Sequence, residues 1–89
     1  MILHYYEKGR RGDPVVLFIH GSASDATVWL NELNIVASRG FHCIALDLRG
    51  HGESDWSAVH AYQISDFATD LMTVSNQLGD KPALIGASL

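Results

Sequence analysis

Three short apolar runs punctuate the chain, at Val15–Ile19, Cys43–Leu46 and Ala83–Ile85. Each is entered through turn residues: Asp13-Pro14 before the first, Gly40 before the second, Asp80-Lys81-Pro82 before the third. Apolar runs of this length without polar alternation suit strands covered on both faces. Between them the apolar period changes. Ser24 or Asp25 can cap a helix that runs to about Ser38, carries Val28, Leu30, Leu33 and Val36, and is terminated by Gly40. A second helix is predicted from about Ser65 to Leu78. Ile64, Phe67, Leu71, Val74 and Leu78 recur at steps of three and four, so they share one face, and Gly79 stops the helix. Ahead of all this, Ile2 to Glu7 followed by Gly9-Arg10-Arg11-Gly12 reads as an edge strand and turn.

The order is strand, strand, helix, strand, helix, strand. Such alternation predicts an α/β fold: a parallel open sheet with crossover helices on both faces. No repeat, low-complexity tract or linker divides residues 1–89, so they read as part of one domain.

Charge and composition narrow the partners. The formal net charge of −4 is mild and spread along the chain. No basic cluster invites nucleic acid or an anionic membrane, and Arg10-Arg11, flanked by glycines, reads as a turn. Met1-Ile2-Leu3 is too short for the apolar core of a signal peptide. The run Val15–Ile19 is far below the roughly 18 residues a membrane span needs. Cys43 is the only cysteine, which excludes an intrachain disulfide and fits a cytoplasmic setting.

Cofactor signatures are absent as well. There is no His-Glu-x-x-His or similar metal spacing, so no metal is expected. Gly50-His51-Gly52 lacks the Gly-Lys-[Ser/Thr] ending of a phosphate loop. His20-Gly21-Ser22-Ala23-Ser24-Asp25 does not supply the Gly-x-Gly-x-x-Gly of a dinucleotide site.

The chemistry concentrates at strand ends. The last seven residues, Ala83-Leu84-Ile85-Gly86-Ala87-Ser88-Leu89, are a strand running into four of the five positions of Gly-x-Ser-x-Gly. A nucleophile on such a turn must project above the sheet edge. The turn is strained, so small neighbours such as Gly86 and Ala87 are required. Two other segments follow strands: Val16-Leu17-Phe18-Ile19-His20-Gly21-Ser22, with Trp29 a short way on, and Leu46-Asp47-Leu48-Arg49-Gly50-His51-Gly52-Glu53-Ser54-Asp55. His20 reads as a structural part of its turn, Asp47 as structural, His51 and His60 as loop histidines, and Cys43 as inert packing. Ser22 and Ser24 read as turn and cap residues rather than nucleophiles.

Taken in this order, the segments resemble the α/β-hydrolase family over roughly residues 14 to 89, and Asp-Leu-Arg-Gly-His-Gly-Glu-Ser is the most specific of them. The resemblance implies that Ser88 is the nucleophile. It implies that the backbone N–H groups of Ser22 and Leu89 form the oxyanion hole, and that Asp47–Asp55 is a structural loop near the pocket. It also implies that residues 1–89 are the N-terminal part of one hydrolase domain, with the catalytic acid and histidine later in chain order. The strand at 15–19 should lie between those at 43–46 and 83–86, with the two helices on opposite faces. Ala87 departs from the larger residue many relatives carry there.

The function so implied is a serine hydrolase acting on an ester or related acyl bond of a small molecule, without a cofactor. The serine argues against the branches with an aspartate nucleophile, such as epoxide hydrolases and haloalkane dehalogenases. The alternative is a non-catalytic ligand receptor or scaffold of the same fold, or a catalytically incomplete fragment.

Overall fold

A computed structural model describes residues 2–21, 23–78 and 81–87. Strand β1 spans Tyr5–Lys8 and β2 spans Val15–Ile19. A 3₁₀ turn at Ala26–Trp29 leads into helix α1, Leu30–Ala37. Strand β3, His42–Leu46, is followed by helix α2, Ile64–Leu78, and strand β4, Ala83–Gly86.

The four strands form one sheet in the order β1-β3-β2-β4. Strand β2 runs parallel to both neighbours, with Leu17 opposite Ile44 on one side and Leu84 on the other. The three strands anticipated from the apolar runs are therefore parallel and in the expected order. Strand β1 adds an antiparallel edge, Tyr6 opposite Ala45, so the sheet is mixed.

Strand alternation divides the core into two layers. Val16, Phe18, Cys43 and Ala45 face Ala26, Leu33, Trp29 and Val36. Leu17, Ile19, Ile44 and Leu46 face Phe67, Leu71, Val74 and Leu78. The helices thus cover opposite faces. Two right-handed connections, β2 to β3 and β3 to β4, that step in opposite directions across the sheet require this. Every residue of β2 and β3 is buried.

Four details differ from expectation. The first helix begins as a tight 3₁₀ turn, with the Leu30 N–H bonded to the Thr27 carbonyl. Asp25, extended at φ −155°, caps it by accepting the Thr27 N–H at 2.9 Å. Ile64 does not share the buried stripe: it opens α2, ahead of the first core contact at Phe67, and is 78% exposed. Strand β4 is not covered on both faces but exposed along its length. Its described ladder partner is β2 alone, and its side chains join neither core layer. Residues 2–4 form no ladder. They bond instead to the segment after β3, through Asp47 N–H to the His4 carbonyl and Asp55 N–H to the Ile2 carbonyl, both 2.9 Å. The expected stop at Gly40 holds, with φ +92°, whereas Gly79 lies outside the described residues. No described helix is long and apolar enough to cross a membrane.

Candidate active site

The parallel pairing of β2 and β4 sets the site. Ile19 lies opposite Gly86, and the ladder ends with the Ala87 N–H donating to the Ile19 carbonyl at 3.0 Å. His20-Gly21 and Ala87 therefore leave the sheet side by side at its carboxyl end. Because the chain steps from β2 first to β3 and later to β4, this is where an open α/β sheet forms its ligand crevice. Ser22, Ser88 and Leu89 themselves lie outside the described residues.

The turn after β2 is fixed by His20, whose ring is fully buried. The Leu48 N–H donates to His20 Nε2 at 3.0 Å, so that nitrogen is the acceptor. Nδ1 then carries the proton and donates to the Gly21 carbonyl at 2.7 Å. One neutral ring thus ties the exit of β2 to the exit of β3, the structural role read from the sequence. Ala23 follows with φ +58°, a left-handed conformation uncommon for alanine. His51 lies 5.0 Å from His20, centroid to centroid, and 6.1 Å from Phe67. It is half-buried between the turn and α2 rather than a free loop histidine.

Asp47, just after β3, is 1% exposed and holds four segments together. Its Oδ1 accepts the Ala26 N–H at 2.7 Å. Its Oδ2 accepts the Glu53 N–H at 3.1 Å and faces His4 Nδ1 at 2.7 Å. Its carbonyl accepts the Ser54 hydroxyl at 2.6 Å, and Ser54 Oγ in turn accepts the His4 N–H at 2.7 Å. Gly52 sits against this carboxylate so closely that a Cβ there would lie 2.4 Å from it.

An ion pair braces the same loop from the other side. Arg49 donates from Nε and Nη2 to the two carboxylate oxygens of Asp70 on α2, each at 2.7 Å. Its Nη1 donates to the Ala61 carbonyl at 3.0 Å. The hydrogen-bonded Asp70 carboxylate raises the guanidinium further above its ordinary range. Sequence reasoning placed Arg49 in the motif but missed Asp70. The available hint was an acid three residues beyond Phe67, at the margin of the buried stripe. His4 was also missed, and nothing local marks it.

Other groups have no part in the crevice. Cys43 is buried, and burial pushes its thiol up, which agrees with inert packing. Trp29 packs its ring on Phe18 at 5.4 Å, and its buried Nε1–H has no acceptor among the described residues. A trough of about 630 Å³ lies away from these strand ends, between β1, β3 and α2, lined by Leu3, Ile44, Val74 and Leu78 with Glu7 and His42 at one end. Among the described residues, no three potential ligands cluster to hold a metal.

Residues 14–89 match the profile of the alpha/beta hydrolase fold family, and the chain belongs to that family. It is similar to epoxide hydrolase 4 of Mus musculus, 36% identical over 85 residues that cover 93% of this chain and 23% of that protein. It is also similar to a haloalkane dehalogenase of Bradyrhizobium diazoefficiens, 37% identical over 83 residues, 93% of this chain and 26% of that protein. Among solved structures, the thioesterase domain from the curacin biosynthetic pathway superposes with a TM-score of 0.86 at 31% identity, covering 94% of this chain and 30% of that one. The chain thus spans about a quarter of the length of the curated relatives it matches.

Proposed function

We propose that residues 1–89 are the N-terminal part of a single hydrolase domain, and that the whole protein is a serine hydrolase acting on an ester or related acyl bond. Ser88 is the nucleophile. The backbone N–H groups of Ser22 and Leu89 hold the oxyanion. A histidine and an acid from later segments activate the serine. The observation that carries this reading is the pairing of Ile19 with Gly86, which brings the chain just before residue 22 beside the chain just before residue 88. Acyl transfer needs a hydroxyl and two backbone donors at one point, and the neighbouring ends of β2 and β4 support that reading.

The relatives' names span epoxide opening, dehalogenation and thioester cleavage. The segment they share with this chain therefore carries scaffold more than substrate choice. The identity of residue 88 decides between these chemistries. A serine oxygen that attacked a saturated carbon of an epoxide or haloalkane would become an ether. An ether has no carbonyl for water to attack, so the enzyme would stay alkylated. A serine that attacks an acyl carbon gives an ester, which water can cleave. Ser88 thus favours the acyl substrate.

The test is covalent labelling of the full-length protein. A fluorophosphonate should modify Ser88 and leave Ser22, Ser24 and Ser54 untouched. Ser88→Ala should abolish labelling and lower turnover by several orders of magnitude. An unlabelled Ser88 in the folded protein, with Ser88→Ala fully active, would sink the hydrolase reading in favour of a receptor or scaffold.

A further inference from the structure

We infer that Asp47 is a positioning residue for the oxyanion turn: it grips the exit of the turn at Ala26, while His20 grips the entrance at Gly21. The inference rests on the reading of residue 22 as an oxyanion donor. The turn from Gly21 to Asp25 is short, and both of its ends are held by buried side chains. At the entrance, His20 Nδ1–H fixes the Gly21 carbonyl at 2.7 Å. At the exit, Asp47 Oδ1 takes the Ala26 N–H at 2.7 Å, a fully buried contact. Between these grips Ala23 is held at φ +58°. Alanine does not rest there unaided, so the surrounding bonds must impose the conformation.

The carboxylate suits this work because it cannot move. Its second oxygen is engaged by the Glu53 N–H and by His4 Nδ1, and the absent side chain of Gly52 leaves the space it fills. These bonds agree with a structural role for Asp47, because both of its oxygens are already engaged by the Ala26 and Glu53 N–H groups and by His4. Oxyanion donors stabilise developing charge only when they are already aimed at it. A displacement of about 1 Å can cost on the order of 10²-fold in rate. Loosening the exit of the turn should therefore slow chemistry while leaving ground-state binding intact.

The test uses the full-length protein with p-nitrophenyl acetate as substrate and a fluorophosphonate as probe. Asp47→Asn offers one acceptor in place of two and should lower kcat by roughly 3–10-fold. Asp47→Ala offers none and should lower it by roughly 10–100-fold. KM should change by less than about twofold in both, and the rate of Ser88 labelling should fall in the same order as kcat. A purely structural role would lower the melting temperature without this split. If Asp47→Ala does not fold, Asp47→Asn carries the test alone. A folded variant that turns over and labels at the wild-type rate, or that loses kcat only with an equal rise in KM, overturns the inference. If wild-type Ser88 itself resists labelling, the hydrolase reading falls and this inference falls with it. Labelled wild type with undiminished variants removes the inference alone.

Discussion

Gly40 and Gly52 both hold positive φ, +92° and +51°, yet they meet different surroundings. Nothing lies within 4 Å of a Cβ built on Gly40, so Gly40→Ala incurs only the left-handed backbone penalty, about 1–2 kcal/mol. At Gly52 the added carbon would meet the Asp47 carboxylate at 2.4 Å, and that group is fixed by its other partners. Overpacking adds to the backbone penalty, and Gly52→Ala should destabilise the full-length protein by about 2–4 kcal/mol. Urea midpoints at unchanged slope measure both; equal losses at the two glycines would mean that the Asp47 carboxylate yields easily. The Gly-His-Gly segment is conspicuous in the sequence, but the reason for its second glycine is not, because the group that fills the space belongs to a strand end five residues earlier. His4 is less legible still, since its partner Asp47 lies 43 positions away and neither residue sits in a pattern that names the other. The proposed nucleophile and oxyanion donors stand at the opposite pole. Ser88, Ser22 and Leu89 are readable only through motif and resemblance, and the described geometry reaches their neighbours Gly21 and Ala87.

At the scale of elements, α2 holds its place through one apolar stripe and one ion pair. Phe67, Leu71, Val74 and Leu78 face the sheet, yet no residue of the helix is fully buried. The Arg49–Asp70 pair then has weight, because its side chains are only 10% and 12% exposed and the geometry is bidentate. Removing one partner leaves a desolvated charge behind, so Asp70→Ala should destabilise by about 3–5 kcal/mol. Arg49→Lys should also destabilise, because an ammonium cannot reproduce the fork. Replacing both partners by apolar residues, Arg49→Met with Asp70→Leu, should restore much of the loss. Chemical denaturation of the three variants decides the point, and a cost below about 1 kcal/mol for Asp70→Ala would place the pair among ordinary surface bridges. The stripe was legible because a helix repeats at steps of three and four, which locates α2 to within one residue of its observed start. Ile64 fits the same spacing and is nonetheless exposed, since periodicity says which side a residue faces and not whether anything lies opposite. The 3₁₀ entry to α1 was hidden for a related reason: it depends on how Asp25 and Asp47 hold the first amides, and half of that arrangement comes from another strand.

At the scale of the whole molecule, the three parallel strands are equally apolar but not equally covered. Periodicity predicted all three as doubly buried, and it succeeded for β2 and β3 because a helix lies on each of their faces. β4 has the same apolar composition but, among the described residues, only β2 beside it, so it stands exposed. A short apolar run shows a preference for burial and does not name what buries it. The strand order came from the family resemblance and from the handedness of crossovers, not from the runs themselves. Among the described residues the outer edge of β4 has no ladder partner, and its apolar side chains stand on both faces, Leu84 at 59% and Ile85 at 39% exposure. Unpaired N–H and C=O groups on such an edge are a template for another strand, and no charge on β4 discourages the pairing. Residues 1–89 expressed alone should therefore self-associate at micromolar concentration, with β4 as the contact. Sedimentation velocity should show a weight-average mass that rises with concentration. Leu84→Lys with Ile85→Lys should shift the distribution toward monomer, because a charge on each face opposes stacking and edge pairing alike. Lysines at Val28 in the 3₁₀ turn and at Ile35 on α1, exposed at 54% and 58%, serve as the control and should leave association unchanged. A monodisperse monomer with a sharp unfolding transition, or association that follows the control lysines instead, would show that β4 is not the contact.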